Sequence, residues 1–176
     1  MHLAIDATNI RNGGGVTHLA QLLRSATPIN AGIRRISVWA SEQTLNKLPD
    51  RPWLTKKSTK WAKYPIISSL AQQVLLSREI SKCDCDLLFS PGGTIIFGAK
   101  IPTITMSQNM LPFELDRSVL FGLLSPVLFK MIILRLIQSV SFKKASGIIF
   151  LTEYARNTIA IKTSSRKTVV IPHGIE

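Results

Sequence analysis

A chain of 176 residues with an apolar fraction of 45% has the length and composition of one ordinary globular domain with a proper core. Its 22 Lys and Arg stand against 10 Asp and Glu, and the resulting charge of +12 points to anionic partners: phosphates, nucleic acid or a membrane surface. The opening Met1–Asp6 has no basic region ahead of a long apolar core, which excludes a signal peptide and makes a cytosolic protein the expectation.

The first element predicted is a strand at Leu3-Ala4-Ile5. It runs into Asn12-Gly13-Gly14-Gly15-Val16-Thr17-His18-Leu19, and Leu19, Leu22 and Leu23 then recur at helical spacing. Strand, glycine turn and helix follow in order. Three glycines without Cβ atoms allow a ligand to come close, and the helix behind them aims free N–H groups and its positive end at the same spot. A phosphate is the natural occupant. A plain strand-to-helix turn needs only one glycine. The spacing is not the G-x-G-x-x-G of dinucleotide binders.

Ile33–Ala40 reads as the second strand, Ser41–Leu48 as a short helix with Ser41 as N-cap, and Trp53–Lys56 as a short third strand. Arg51–Lys63 holds Arg51, Lys56, Lys57, Lys60 and Lys63 and no acid, with Trp53 and Trp61 interleaved. That stretch is either a solvated surface loop or a phosphate contact. Ser68–Lys82 reads as a helix that offers Leu70, Val74, Leu75 and Ile80 to the core. Cys83 and Cys85, one residue apart, read as strand thiols, free in a reducing compartment, with no second Cys/His cluster to make a zinc site.

Asp86–Ser90 is a buried parallel strand by composition and ends in Ser90-Pro91-Gly92-Gly93. Pro102–Met106 is the next strand and ends in Ser107-Gln108-Asn109-Met110-Leu111-Pro112-Phe113. In open α/β sheets, ligands sit at such carboxyl ends. Val119–Phe142 is the most apolar segment. Pro126, Lys130 and Arg135 interrupt it, which argues against a membrane span. The alternatives are a kinked core helix or a helix lying on a membrane, and the apolar residues on many faces favour membrane contact for part of it. Gly147–Leu151 is a further strand, Thr152 the N-cap of a helix through Arg156, and Thr168–Pro172 the last strand. Alternating strands and helices give a Rossmann-like, doubly wound α/β fold: a mostly parallel sheet with helices on both faces.

Five blocks in this order carry a resemblance. They are Gly13-Gly14-Gly15-Val16, Ser90-Pro91-Gly92-Gly93, Ser107–Phe113, Ile149–Arg156 and Val170-Ile171-Pro172-His173-Gly174-Ile175. Together they resemble the N-terminal half of a retaining GT-B glycosyltransferase of the group-1, family-4-like kind. The resemblance implies an acceptor-side domain over residues 1–171, with 172–176 starting the linker to a second, donor-binding domain. That second domain, with its paired glutamates and basic residues for the sugar-nucleotide diphosphate, is expected to be missing here, so the chain alone is expected to be inactive.

The resemblance further implies a nucleotide-sugar donor; the basic charge and the Val119–Phe142 segment make the expected acceptor lipid-linked or a cell-envelope glycan of polysaccharide biosynthesis, and no cofactor or metal is expected. The resemblance puts Gly13, Gly14, Gly15, Thr17, Gly92, Gly93, Gln108, Asn109, Thr152, Glu153 and His173 at the substrate cleft, with His173 lining the interdomain hinge. The amides of Gly14 and Gly15 would lie near the diphosphate and the acceptor hydroxyl. Many relatives carry a His-Asp pair where Gln108-Asn109 stand. Gln and Asn do not titrate near neutrality, so neither is a base. They remain able to hydrogen-bond a sugar, or to cap strand ends. Glu153 lies where a first-turn carboxylate simply suits the helix dipole, and His18 reads as a packing or surface residue.

A peripheral position on an anionic membrane, through Val119–Lys144 and Arg51–Lys63, goes with the basic charge. The main alternative is a non-catalytic basic domain binding nucleic acid or anionic membrane. A nucleic-acid role is disfavoured because aromatics are few and no reading motif is present. An NAD-dependent oxidoreductase with Glu42 on the ribose is weaker still, on the glycine spacing.

Overall fold

The computed structural model describes residues 1–59, 72–114, 125–160 and 167–172. Seven strands are present: β1 (His2–Asp6), β2 (Arg35–Ala40), β3 (Leu54–Ser58), β4 (Leu87–Ser90), β5 (Thr103–Ser107), β6 (Gly147–Phe150) and β7 (Lys167–Val170). Their order in the sheet is β3-β2-β1-β4-β5-β6-β7. The pairings β1–β2, β2–β3, β1–β4, β5–β6 and β6–β7 are all parallel. This is the doubly wound order, with its reversal between β1 and β4. The chain divides into two compact units, Met1–Gly92 with Ile96–Thr103, and Gly93–Ile95 with Ile104–Glu176.

In the first unit, side-chain alternation along the strands builds two cores. Ile5, Ile36, Val38 and Ala40 point to one face, where Val16, Leu19, Ala20 and Leu23 of α1 (Gly14–Ser25) cover them together with Leu45 of α2 (Glu42–Leu45) and Leu48. Ala4, Trp39 and Leu88 point to the other face and meet Leu76 and Ile80. Period-2 strands thus meet period-3.6 helices on both sides. The inward positions of α1 are i, i+3, i+4 and i+7 from Val16, and Leu22 is left exposed. Ser41 caps α2 as expected, its Oγ accepting from the Thr44 amide at 3.3 Å.

Two expectations change here. Of the predicted Ser68–Lys82 helix, residues 68–71 lie outside the described part. The rest is a π-helical turn, Gln72–Leu76, followed by α3 (Ser77–Ser81). Leu76, one turn before Ile80, takes the inward place, while Val74 and Leu75 are exposed. Cys83 and Cys85 are free thiols, but they sit in the turn before β4 and not within a strand. Asp84 between them has φ 46. Lys57 Nζ donates to Cys83 Sγ at 2.7 Å and lies 4.9 Å from the centroid of the Trp39 ring. Burial pushes the Cys85 thiol up to about 11.

In the second unit, Phe142 of α4 (Pro126–Lys144), Ile148 and Phe150 of β6, and Ala155 and Ile159 of α5 (Glu153–Ala160) form the core with Ile95. Phe142 stacks at tilted angles with Phe113 and Phe150, with centroids 6.0 and 6.4 Å apart. Pro126 does not kink a helix, as the interrupted apolar pattern suggested. It is the first residue of α4, where a missing N–H costs nothing, and Ser125 Oγ accepts from the Val127 amide at 3.1 Å. Residues 115–124, the start of the apolar segment, lie outside the described part. Among the described residues no helix is long and apolar enough to cross a membrane.

Candidate functional site

The glycine turn is built by the loop that leaves β1. Asp6 is buried, and its Oδ1 accepts from the Thr8 amide at 3.1 Å and from Thr8 Oγ1 at 2.7 Å. The Ala7 amide donates to the Trp39 carbonyl and the Ile10 amide to the Ala7 carbonyl, while Thr44 Oγ1 donates to the Ile10 carbonyl at 2.8 Å. The loop is therefore tied to its neighbours on both sides before it reaches Gly13. Gly13 is the N-cap of α1 with φ 70 and ψ −155, a backbone state that favours glycine.

Gly14 differs. It is the first helical residue, it is exposed, and a Cβ on it would meet nothing within 4 Å. The chain's own packing does not ask for glycine there. Among the described residues no side chain caps α1, and no acid lies in its first turn. The helix's first bonds are Val16 and Thr17 N–H to the Gly13 carbonyl, at 3.1 and 3.4 Å, so the Gly14 and Gly15 amides stand ahead of them. Two donors and the positive dipole end therefore face out together, with the exposed Thr17 in the same turn.

Strand β4 runs parallel to β1, with Ile5 opposite Phe89, so both leave the sheet at the same end. Gly92, just beyond β4, is exposed, and a Cβ on it would lie 3.7 Å from Asn9 Cβ. The β1–α1 loop and the Gly92 turn therefore adjoin at the reversal of strand order, where such folds bind ligands. Asp6, Thr8 and Asn9 shape this place, although the sequence reading did not single them out. Their signal was the polar Asp6-Ala7-Thr8-Asn9 run straight after an apolar strand.

In the second unit Gly93, Asn109, Thr152 and Glu153 have structural contacts of their own. Gly93 is buried with φ 77, and a Cβ on it would come within 2.7 Å of Gln138 Nε2 and 3.6 Å of the Met106 carbonyl. Gln138 is 4% exposed, and its Oε1 has no partner among the described residues, nor does the buried Nε2 of Gln108. Asn109 Oδ1 accepts from the Leu111 amide at 3.0 Å and so shapes the turn into the 3-10 segment Leu111–Phe113. Thr152 Oγ1 accepts from the Ala155 amide at 3.0 Å, the cap expected of it. Glu153 pairs with Arg156 at 2.6 Å on the surface. Ser107 lies opposite Phe150, so Gln108-Asn109 and Leu151-Thr152 leave neighbouring strand ends. His173 lies outside the described residues.

The fold and the Gly13–Gly15 turn together define a doubly wound α/β domain with an uncapped helix start at its strand-order reversal. No protein-family model matches the chain. No curated protein matches it. Solved structures do match it. One is a sucrose-phosphate synthase from Thermosynechococcus elongatus, at a TM-score of 0.56 and 12% identity over 99% of this chain and 90% of that one. At that identity the likeness speaks for the fold alone, a Rossmann-like parallel α/β sheet.

Proposed function

We propose that this chain is the acceptor-side domain of a retaining GT-B glycosyltransferase, which moves a sugar from a nucleotide-sugar donor to a lipid-linked or cell-envelope acceptor. The observation that carries the reading is the Gly13–Gly15 turn: an exposed, uncapped helix start beside Gly92, glycine at Gly14 without any packing need for it. The order of the five sequence blocks and the likeness in fold to a sucrose-phosphate synthase support it.

In this reaction the acceptor hydroxyl oxygen bonds to the anomeric carbon as the bond from that carbon to the diphosphate oxygen breaks. Charge grows on the leaving diphosphate, and fixed amide donors at Gly14 and Gly15 would stabilise it more than they stabilise the intact donor. The proton of the hydroxyl passes to the leaving phosphate. That route needs no titrating side chain, in keeping with Gln108 and Asn109 at the strand end. The rest of the donor would be held by a second domain.

The test is an amide-resolved NMR titration with inorganic pyrophosphate and a nucleoside diphosphate. The expected result is saturable shifts centred on Gly14, Gly15 and Gly92. Gly14→Ala should weaken binding about tenfold while leaving the thermal melt unchanged or slightly raised, since alanine suits a helix better than glycine. Shifts confined to Arg51–Lys57, with the glycine amides unmoved, would make the chain a basic domain of another kind.

A further inference from the structure

Helix α4 is apolar on both sides, with Leu128, Met131 and Leu134 half-buried on its inner one. Its buried side chains are Gln138, Ser141 and Phe142, two of them polar. Ser141 Oγ donates to the Ile137 carbonyl at 2.8 Å and accepts from the Ile95 amide at 3.3 Å. Its outward face is Phe129, Ile132, Ile133, Leu136, Ile137 and Val140, each at least 41% exposed, with Phe129 at 68% and Leu136 at 62%. These positions are i, i+3, i+4, i+7, i+8 and i+11, one continuous stripe over three turns. A water-soluble helix normally carries that stripe inward, and a contiguous exposed patch of this kind marks an interaction surface.

The charges on the helix select what covers it. Lys130 flanks the stripe, Lys143 and Lys144 close it, and α4 has no Asp or Glu. A second copy laid on this face would bring two sets of these cations together without one carboxylate from either helix, an unfavourable pairing. An anionic bilayer meets both needs. Apolar side chains enter the boundary of the acyl region, and the lysines reach back to the phosphates. Nineteen residues span about 28 Å lying flat. We infer that α4 is a membrane-surface helix that seats this chain on anionic lipid, with Phe129 and Leu136 as its most deeply inserted residues. The inference stands on α4 alone and holds whatever reaction the glycine turn serves.

Flotation of the whole chain with phosphatidylcholine vesicles, with and without phosphatidylglycerol, tests it. The expected result is co-flotation with the anionic vesicles at low salt and weak recovery with neutral ones. Phe129→Ser and Leu136→Ser should each lower partitioning roughly tenfold. Both positions are exposed, so the variants should keep the wild-type far-UV dichroism and melt. Absence of flotation at low salt would overturn the inference. So would a dimer in light scattering that the same two variants dissociate, because the stripe would then serve a second copy. Flotation that both variants retain, and that Lys56→Gln with Lys57→Gln abolishes, would move the contact to β3 and overturn it as well.

Discussion

At the scale of single residues, the glycines divide by what demands them. Gly13 needs its backbone freedom, Gly14 needs neither freedom nor room, and Gly93 needs both. An alanine at Gly93 would be held at φ 77 with its Cβ pressed against the buried amide of Gln138. Gly93→Ala should cost about 1–3 kcal/mol in chemical denaturation. A wild-type midpoint in that variant would mean that Gln138 moves aside freely. The sequence marked Gly92 and Gly93 as one turn facing a ligand. It could not tell them apart, because Gln138 reaches Gly93 from 45 residues further along the chain. Asn109 and Glu153 teach the converse: their partners, Leu111 and Arg156, are local, and such bonds follow from turn and helix-start chemistry.

At the scale of elements, caps and breaks were well marked. Ser41 and Thr152 stand one residue before α2 and α5, and each hydroxyl accepts the backbone bond that its position predicts. Thr152→Ala should lower stability by about 1 kcal/mol through loss of that cap, with Thr152→Ser restoring most of it, read from urea midpoints. Equal midpoints for alanine and serine would show that the hydroxyl contributes nothing. Strand centres were also legible from short apolar runs. Of the two readings of the apolar segment, the kinked helix fails at the start of α4, because a proline inside an apolar run looks the same in sequence whether it kinks a helix or begins one. Ser125, one residue earlier, decides for a beginning. The π-helical turn Gln72–Leu76 has no mark in residue type, whereas the inward place of Leu76 follows from ordinary helical spacing to Ile80.

At the scale of the whole molecule, a chain of +12 gains further charge as pH falls. His2 is the clearest contributor. Burial, and then the nearby Arg35, lower its pKa below the ordinary 6.5, outweighing the opposing Cys83 carbonyl and Asp86. Its Nε2 lies 2.9 Å from Ser37 Oγ. The unfolded chain then binds more protons than the folded one, so stability is full above about pH 6.5 and falls as pH drops through that value towards the lowered one. Melting at pH 5.5 should lie below melting at pH 7.5, and His2→Gln should narrow the gap; a gap that the variant leaves untouched would assign the effect elsewhere. By itself the sequence determined the alternation of strands and helices, the parallel sheet and the glycine turn, because periodicity and backbone chemistry are local. Only the tertiary structure decided that Gly92 adjoins the loop after β1, that Gly93 packs on Gln138, and that α4 leaves an apolar stripe exposed while Gln138 and Ser141 are buried. Those facts depend on which distant segments meet, and hydrophobic periodicity records that a face is apolar without recording which way it points.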